Sequence, residues 1–178
     1  MLRLRPYKKD DADRIMSWCR DERTFLLWGG DHFGSYPVPG SVMHDKYTNN
    51  NGDCEEPDNF YPLTAVDENN EAVGHFIIRY IYGDTRILRF GWVILDDSKR
   101  GQGLGKEMLT LGLQYAFDIM KAKKVTIGVF ENNAPALYCY LSTGFHTYIN
   151  DHDFYLNVLG EEVKVIELEI TREEYYGK

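Results

Sequence analysis

Cysteine is scarce in this 178-residue chain, and Cys19, Cys54 and Cys139 form no pair at metal-ligand or redox spacing. No metal site is expected from them, and a reducing cytoplasm is the simplest setting. Long apolar runs are missing as well. None approaches the ~18 residues of a membrane-crossing helix, and residues 1–15 lack the apolar core of a signal peptide. No membrane association is expected, and the chain reads as a soluble intracellular domain. Positive charge is in the minority, with 20 Lys and Arg against 28 Asp and Glu, a net charge of −8. That balance argues against a general nucleic-acid binder, whose phosphate contacts need a basic face. It suits cationic small substrates. Internal repeats, low-complexity tracts and a second domain boundary are absent too, so residues 1–178 read as one domain.

Hydrophobic residues make up 43% of the chain and charged ones 27%, enough of each for a folded core with a polar surface. Residues 2–5 alternate apolar and basic side chains, a short strand ended by Pro6. Residues 8–21 place Ala12, Ile15, Met16 and Cys19 at helical spacing behind acidic residues. Residues 29–59 are rich in Gly, Pro, Asn and acidic residues, with a short helix expected near 41–50. Three strands follow, at 60–66, 72–82 and 86–95, joined by tight turns as an antiparallel meander. In the third, Leu88, Phe90, Trp92 and Ile94 are expected on one face and Ile87, Val93 and Leu95 on the other, with Gly91 a bulge site. Residues 104–121 form an apolar-faced helix through Leu104, Met108, Leu111 and Tyr115, flanked by Leu109, Ala116 and Phe117. A strand at 124–130, a helix at 134–144 stopped by Gly144, and strands at 145–150 and 162–170 close the chain. Strand, glycine loop, helix and strand in that order imply a parallel pair in mid-sheet.

The glycine loop is Ser98-Lys99-Arg100-Gly101-Gln102-Gly103-Leu104-Gly105-Lys106. Gly101, Gly103 and Gly105 have no side chains to shield their amides. The first N–H groups of the following helix have no partner within it, and its dipole adds positive potential. Lys99, Arg100 and Lys106 add formal charge. The segment reads as a cradle for a phosphate or diphosphate, or as a plain tight turn. A dinucleotide-binding G-x-G-x-x-G fails at Lys106 or Met108, and a P-loop fails at Arg100 and Glu107. R-x-x-G-x-G fits, through Arg100, Gly103 and Gly105.

That pattern resembles the diphosphate loop of the GNAT superfamily of acetyl-CoA-dependent N-acetyltransferases. Residues 129–145 are similar to a second hallmark of that family, with Asn133, Ala136, Tyr140, Gly144 and Phe145 at its spacing. The resemblance implies an α/β (α+β mixed) fold. Its sheet is mixed and mostly antiparallel, with six to seven strands, a splayed parallel pair and about four flanking helices. It implies acetyl-CoA as cosubstrate, gripped by Arg100, Gly101, Gln102, Gly103, Leu104, Gly105 and Lys106. The pantetheine arm would pair with Val93, Ile94 and Leu95, with Asn133 and Ala136 beside it, and Tyr140 would act as general acid. Read as residues alone, Tyr140 is a packing aromatic on a helix and Asn133 an ordinary helix cap. Tyr138, two residues away, is expected in the core.

Some relatives carry a glutamate five residues before the Asn, where this chain has Gly128. Glu131 is then a candidate base, or a solvated strand-end carboxylate. His75, His152 and Asp153 are further options. The opening residues resemble the branch acetylating ribosomal-protein N-termini and small amines, so the expected partner is a small-molecule amine or peptide N-terminus. The same resemblance implies a homodimer through the C-terminal strands. Residues 29–59 would be the variable acceptor-side wall; Asp31, Asp45, Asp53, Glu55, Glu56 and Asp58 outnumber Lys46 there, as an acidic wall that steers cations or as a solvated acidic loop. The aromatics Trp28, Phe33, Tyr36 and Tyr47 would line a pocket there or anchor the segment. A non-catalytic CoA-binding module on the same fold is the alternative.

Overall fold

The computed structural model describes residues 1–148 and 153–177. In chain order the elements are β1 (Arg3–Pro6), α1 (Asp11–Ser17), α2 (Glu22–Leu27), α3 (Gly40–Asn49), β2 (Tyr61–Val66), β3 (Ala72–Ile81) and β4 (Asp84–Leu95). There follow α4 (Leu104–Gln114), β5 (Lys124–Phe130), α5 (Ala134–Thr143), β6 (His146–Thr147), β7 (Phe154–Val158), β8 (Glu161–Thr171) and α6 (Arg172–Tyr176). The strands form one sheet in the order β1-β2-β3-β4-β5-β8-β6, with β7 also on β8. Only β4 and β5 run parallel among the described strands. The expected mixed, mostly antiparallel sheet is thus present, its outer edge divided between β6 and β7. The six-residue α2 and five-residue α6 lie beyond the helices read from the sequence. No described helix is long and apolar enough to cross a membrane.

The sheet separates two apolar layers. On one face α4 and α5 cover a core that includes Phe76, Phe90, Met108, Leu109, Ile127 and Leu168. On the other, α1, α2 and α3 enclose Ile15, Phe25, Met43, Ile77 and Ile94. Asp11 ties this second layer to the sheet. Its carboxylate accepts from both Arg5 Nη atoms (2.7 and 2.8 Å), the Lys8 amide (2.8 Å) and the Thr64 hydroxyl (2.9 Å). The acid expected as a helix-start charge is therefore a buried clasp joining β1, α1 and β2.

The face assignment of β4 changes partway. Leu88 and Phe90 face the α4–α5 layer, but so do Val93 and Leu95, while Trp92 and Ile94 face the opposite layer. Strict alternation fails because Ile77 pairs with Gly91 and His75 with Ile94, so two β4 residues oppose the single residue Phe76. Trp92 sits at φ 45°, a left-handed conformation uncommon for a bulky side chain. One extra residue reverses the period of two for the rest of the strand.

The buried stripe of α4 also differs from the expected one. Met108, Leu109, Gly112 and Leu113 are buried within it, continued by Ala116 and Phe117 in a wider π turn, Tyr115–Ile119. Tyr115 lies at the margin, 37% exposed. Gly112 belongs to the stripe because Phe76 and Phe90 need its space: a Cβ there would be 2.9 Å from Phe76 Cζ and 3.1 Å from Phe90 Cε2. Gly112→Ala would gain about 1 kcal/mol of helix propensity but overpack two rings at most 1% exposed. Overpacking costs typically about 1–3 kcal/mol, so the expected net result is destabilisation, read as a lower urea midpoint at unchanged m-value.

Candidate active site

The parallel ladder between β4 and β5 runs from Ile87↔Lys124 to Phe90↔Ile127 and stops. Beyond it, β4 continues to pair with β3 as far as Gly74↔Leu95, and β5 with β8 as far as Phe130↔Val165. Residues 91–95 and 128–130 thus diverge, each held on its outer side only. A splayed gap opens in mid-sheet at the C-terminal ends of both strands. Val93 and Leu95, half-buried, stand on its α4–α5 side, and Ile94 is buried on the other.

The glycine loop lies just past this gap. Asp96 turns the chain by accepting from the Ser98 amide (3.0 Å) and hydroxyl (2.6 Å). Gly101 and Gly103 have φ of 76° and 78°, and a Cβ on either would meet nothing within 4 Å. Space over the loop is therefore open. Gly103 begins α4 with no side-chain cap, and the first turn's N–H groups have no acceptor within the helix. Gly105 has a packing role instead. A Cβ there would be 3.0 Å from both Cys139 Sγ and Leu95 Cδ1, so its absence lets α4 approach β4 and α5. Arg100, Gln102 and Lys106 are exposed, and Lys99, Arg100 and Lys106 form no ion pair among the described residues. The loop offers uncommitted amides and uncommitted positive charge, the donor set a diphosphate needs.

α5 is started by Asn133, whose Oδ1 accepts from the Ala136 amide (3.4 Å), and ended by Gly144 at φ 115°. The chain then turns back, and the Phe145 amide donates to the Tyr140 carbonyl (3.2 Å). Tyr140 is 6% exposed, packs on Phe145, and belongs to the same core layer as Val93 and Leu95. Its hydroxyl has no hydrogen-bond partner among the described residues and is not among the fully enclosed polar atoms. Burial, with a smaller contribution from Cys139, pushes its pKa well above the ordinary tyrosine value. Tyr138, expected in the core, is 75% exposed, because two residues turn a helix side chain to the opposite side.

The candidate bases separate. Glu131 is exposed, and its Oε1 accepts from the Lys164 amide (3.2 Å) near the start of β8. Asp153 pairs with Lys164 Nζ (2.6 Å). His152 lies outside the described residues. His75 is fully buried, with Nε2 2.8 Å from the Tyr47 hydroxyl. Burial lowers its pKa to about 3, which leaves it neutral and structural.

Residues 29–59 pack as a wall of rings. Trp92, projected by the β4 bulge, contacts Phe33 (4.9 Å between centroids), Tyr47 (5.7 Å) and Phe60 (6.1 Å). Phe33 and Tyr47 thus anchor this segment onto the gap strand, while Tyr36 packs on Phe25 instead. Beside it lies a cavity of about 770 Å³ lined by Tyr7, Tyr47, Phe60 and Tyr61, with Glu55 and Asp58 among its polar groups. Sequence reasoning missed the link from Trp92 to this wall. It also missed an ion pair, Arg89 with Glu167, that crosses β5 beside the gap at 2.7 and 2.8 Å.

A sequence model of the acetyltransferase (GNAT) domain matches residues 1–146. Curated relatives include the spermine/spermidine N(1)-acetyltransferase of Bacillus subtilis, 36% identical over 42% of this chain and 45% of that protein. Acetyltransferase PseH of Campylobacter jejuni is 32% identical over 53% and 56% of the two chains. The chain thus spans about half the length of the curated relatives it matches. Among solved structures, the spermidine N-acetyltransferase of Vibrio cholerae in complex with CoA and spermine superposes with a TM-score of 0.79 at 18% identity, over 98% of each chain. The aminoglycoside acetyltransferase AAC(6')-Ib with coenzyme A gives 0.75 at 16%, over 100% of this chain and 99% of that one. At these identities the likeness is one of fold.

Proposed function

The chain belongs to the GNAT acetyltransferase family, and on that premise we propose that it transfers the acetyl group of acetyl-CoA to a primary amine. The observation behind this reading is the parallel ladder that ends at Phe90↔Ile127 with an open, positively charged glycine loop at its mouth. The loop amides and Arg100 or Lys106 hold the diphosphate. Unpaired β4 backbone between 91 and 95 holds the pantetheine arm and polarises the thioester carbonyl. The amine attacks directly in a ternary complex, the C–S bond breaks, and the Tyr140 hydroxyl protonates the departing sulfur. Asn133 and Ala136 fix the start of α5 and so the position of Tyr140.

The acceptor is a cationic amine of the polyamine kind. The acidic excess of the chain, the aromatic wall and the cavity carrying Glu55 and Asp58 all favour such a substrate. Spermine and spermidine are the substrates named for the Bacillus relative, and spermine is bound in the Vibrio structure. Incubating the purified protein with acetyl-CoA and separate amines (spermidine, spermine, an aminoglycoside, a peptide N-terminus) tests this. Thiol release matched by a singly acetylated polyamine in the mass spectrum is the expected result. CoA binding without acetylation of any amine would leave only the binding-module reading.

A further inference from the structure

The sheet gives the gap two faces. Tyr140, Val93 and Leu95 occupy the α4–α5 side, and the acceptor wall around Trp92 occupies the other. A carboxylate able to receive an amine from the acceptor side must project from that second face. Arg89 leaves β4 one residue before the ladder ends, and Glu167 pairs on β8 with Gly128, the first β5 residue beyond it. The Arg89 guanidinium donates from Nη1 and Nη2 to Glu167 Oε2 and Oε1, at 2.7 and 2.8 Å. The pair lies directly over Gly128. A Cβ there would sit 2.6 Å from Arg89 Nη2 and 3.2 Å from Glu167 Oε1. Position 128 is therefore bare because two charged side chains from neighbouring strands cover it.

We propose that Glu167, held by Arg89 across Gly128, is the catalytic carboxylate that receives the acceptor nitrogen and takes its proton. This rests on the acetyl-transfer reading. A bidentate pair occupies one acceptor site on each oxygen and leaves others for an incoming N–H. Each Glu167 carboxylate oxygen accepts one Arg89 N–H, and its backbone carbonyl separately accepts from the Tyr148 amide at 3.2 Å. Its side chain is 14% exposed and that of Arg89 24%, so the pair is sheltered but reachable. Burial disfavours the Arg89 charge, but the bonds and charge of Glu167 outweigh it, and the guanidinium stays firmly protonated. Buried ion pairs add little net stability, which leaves this one better explained by chemistry than by folding. Arg89 contributes as a positioning residue, and its charge disfavours the ammonium form of a nearby amine. Glu131, by contrast, is exposed and bonded to the Lys164 amide.

The ammonium gives one proton to Glu167, which passes it to water. The neutral nitrogen forms the N–C bond, the nitrogen loses its second proton by the same route, and the C–S bond breaks. The sulfur takes one proton from Tyr140, which is restored from solvent, so one proton is released per amide formed.

Glu167→Gln should lower kcat/KM for spermidine by at least roughly 100-fold with the KM for acetyl-CoA within about 2-fold. A weakly basic aryl amine, which arrives neutral, should lose less than about 5-fold in the same variant. Glu167→Gln leaves Arg89 unpaired and risks the fold, so the double variant Arg89→Met/Glu167→Gln is the second arm. Removing both charges of a buried pair is often neutral for stability. The double variant should stay as slow with spermidine as the single one. Recovery of near wild-type activity in it, or equal losses for basic and weakly basic amines, would assign the pair a structural role and overturn the proposal. A wild-type enzyme that acetylates no amine would instead sink the acetyl-transfer reading itself.

Discussion

Tyr140→Phe is expected to reduce turnover by roughly 100- to 10,000-fold while CoA affinity stays within about 2-fold of wild type. The change removes one oxygen and keeps the ring, which packs on Phe145 at the end of α5. That oxygen makes no hydrogen bond among the described residues, so the fold gives up little when it goes. In the proposed mechanism the loss would fall on the leaving group. A thiol titrates near 8.5 in water, and expulsion of its anion into a buried gap is costly. Burial raises the Tyr140 hydroxyl, so its proton is present throughout the neutral range. Stopped assays of thiol release, alongside calorimetric CoA binding, check both halves. Turnover within a few-fold of wild type would remove Tyr140 from the mechanism.

Gly103→Asp should separate folding from cosubstrate binding more sharply. Gly103 occupies φ 78° at the start of α4, where a Cβ meets nothing within 4 Å. Aspartate tolerates left-handed backbone better than most residues and favours a helix start, both as a cap and as a charge at the dipole's positive end. Stability should therefore change by less than about 1 kcal/mol. The same carboxylate would stand among the amides proposed to hold a diphosphate. Two unit charges 4 Å apart near a protein surface repel by about 4 kcal/mol. Allowing for screening, CoA affinity should fall by roughly 100-fold, which corresponds to about 2.7 kcal/mol. Gly103→Asn, with the same shape and no charge, should lose much less. The difference between the two should shrink as salt is added. Equal losses for both variants would mean that the loop binds no anion.

Much of the candidate site's local geometry was legible in local spacing. The loop at 98–106 and the Asn133-to-Phe145 stretch are contiguous, and each follows from backbone requirements a sequence can express: bare amides, a helix cap and a left-handed stop. The splayed end of the ladder came with the family resemblance, whereas the residues themselves marked Gly91 only as a bulge site. The bulge's consequence was not legible, because one inserted residue silently reverses which side Trp92 and Val93 face. The stripe of α4 was misjudged at Gly112, where a residue without apolar character is buried to admit two rings. Arg89 and Glu167 were missed for a different reason. They are 78 positions apart and meet only because β5 lies between their strands with a glycine at the crossing. Nothing periodic connects such residues. Gly128 was noticed as a missing carboxylate, whereas the structure shows it as the space that two other strands fill.

A crystal structure with acetyl-CoA bound locates the cosubstrate directly. The thioester carbonyl should lie in the gap between residues 91–95 and 128–130, with the diphosphate against the amides of residues 101–106 and the sulfur within reach of the Tyr140 hydroxyl. A cosubstrate bound elsewhere, or a gap closed by renewed pairing of β4 with β5, would contradict the assignment of this gap as the place where acetyl transfer occurs.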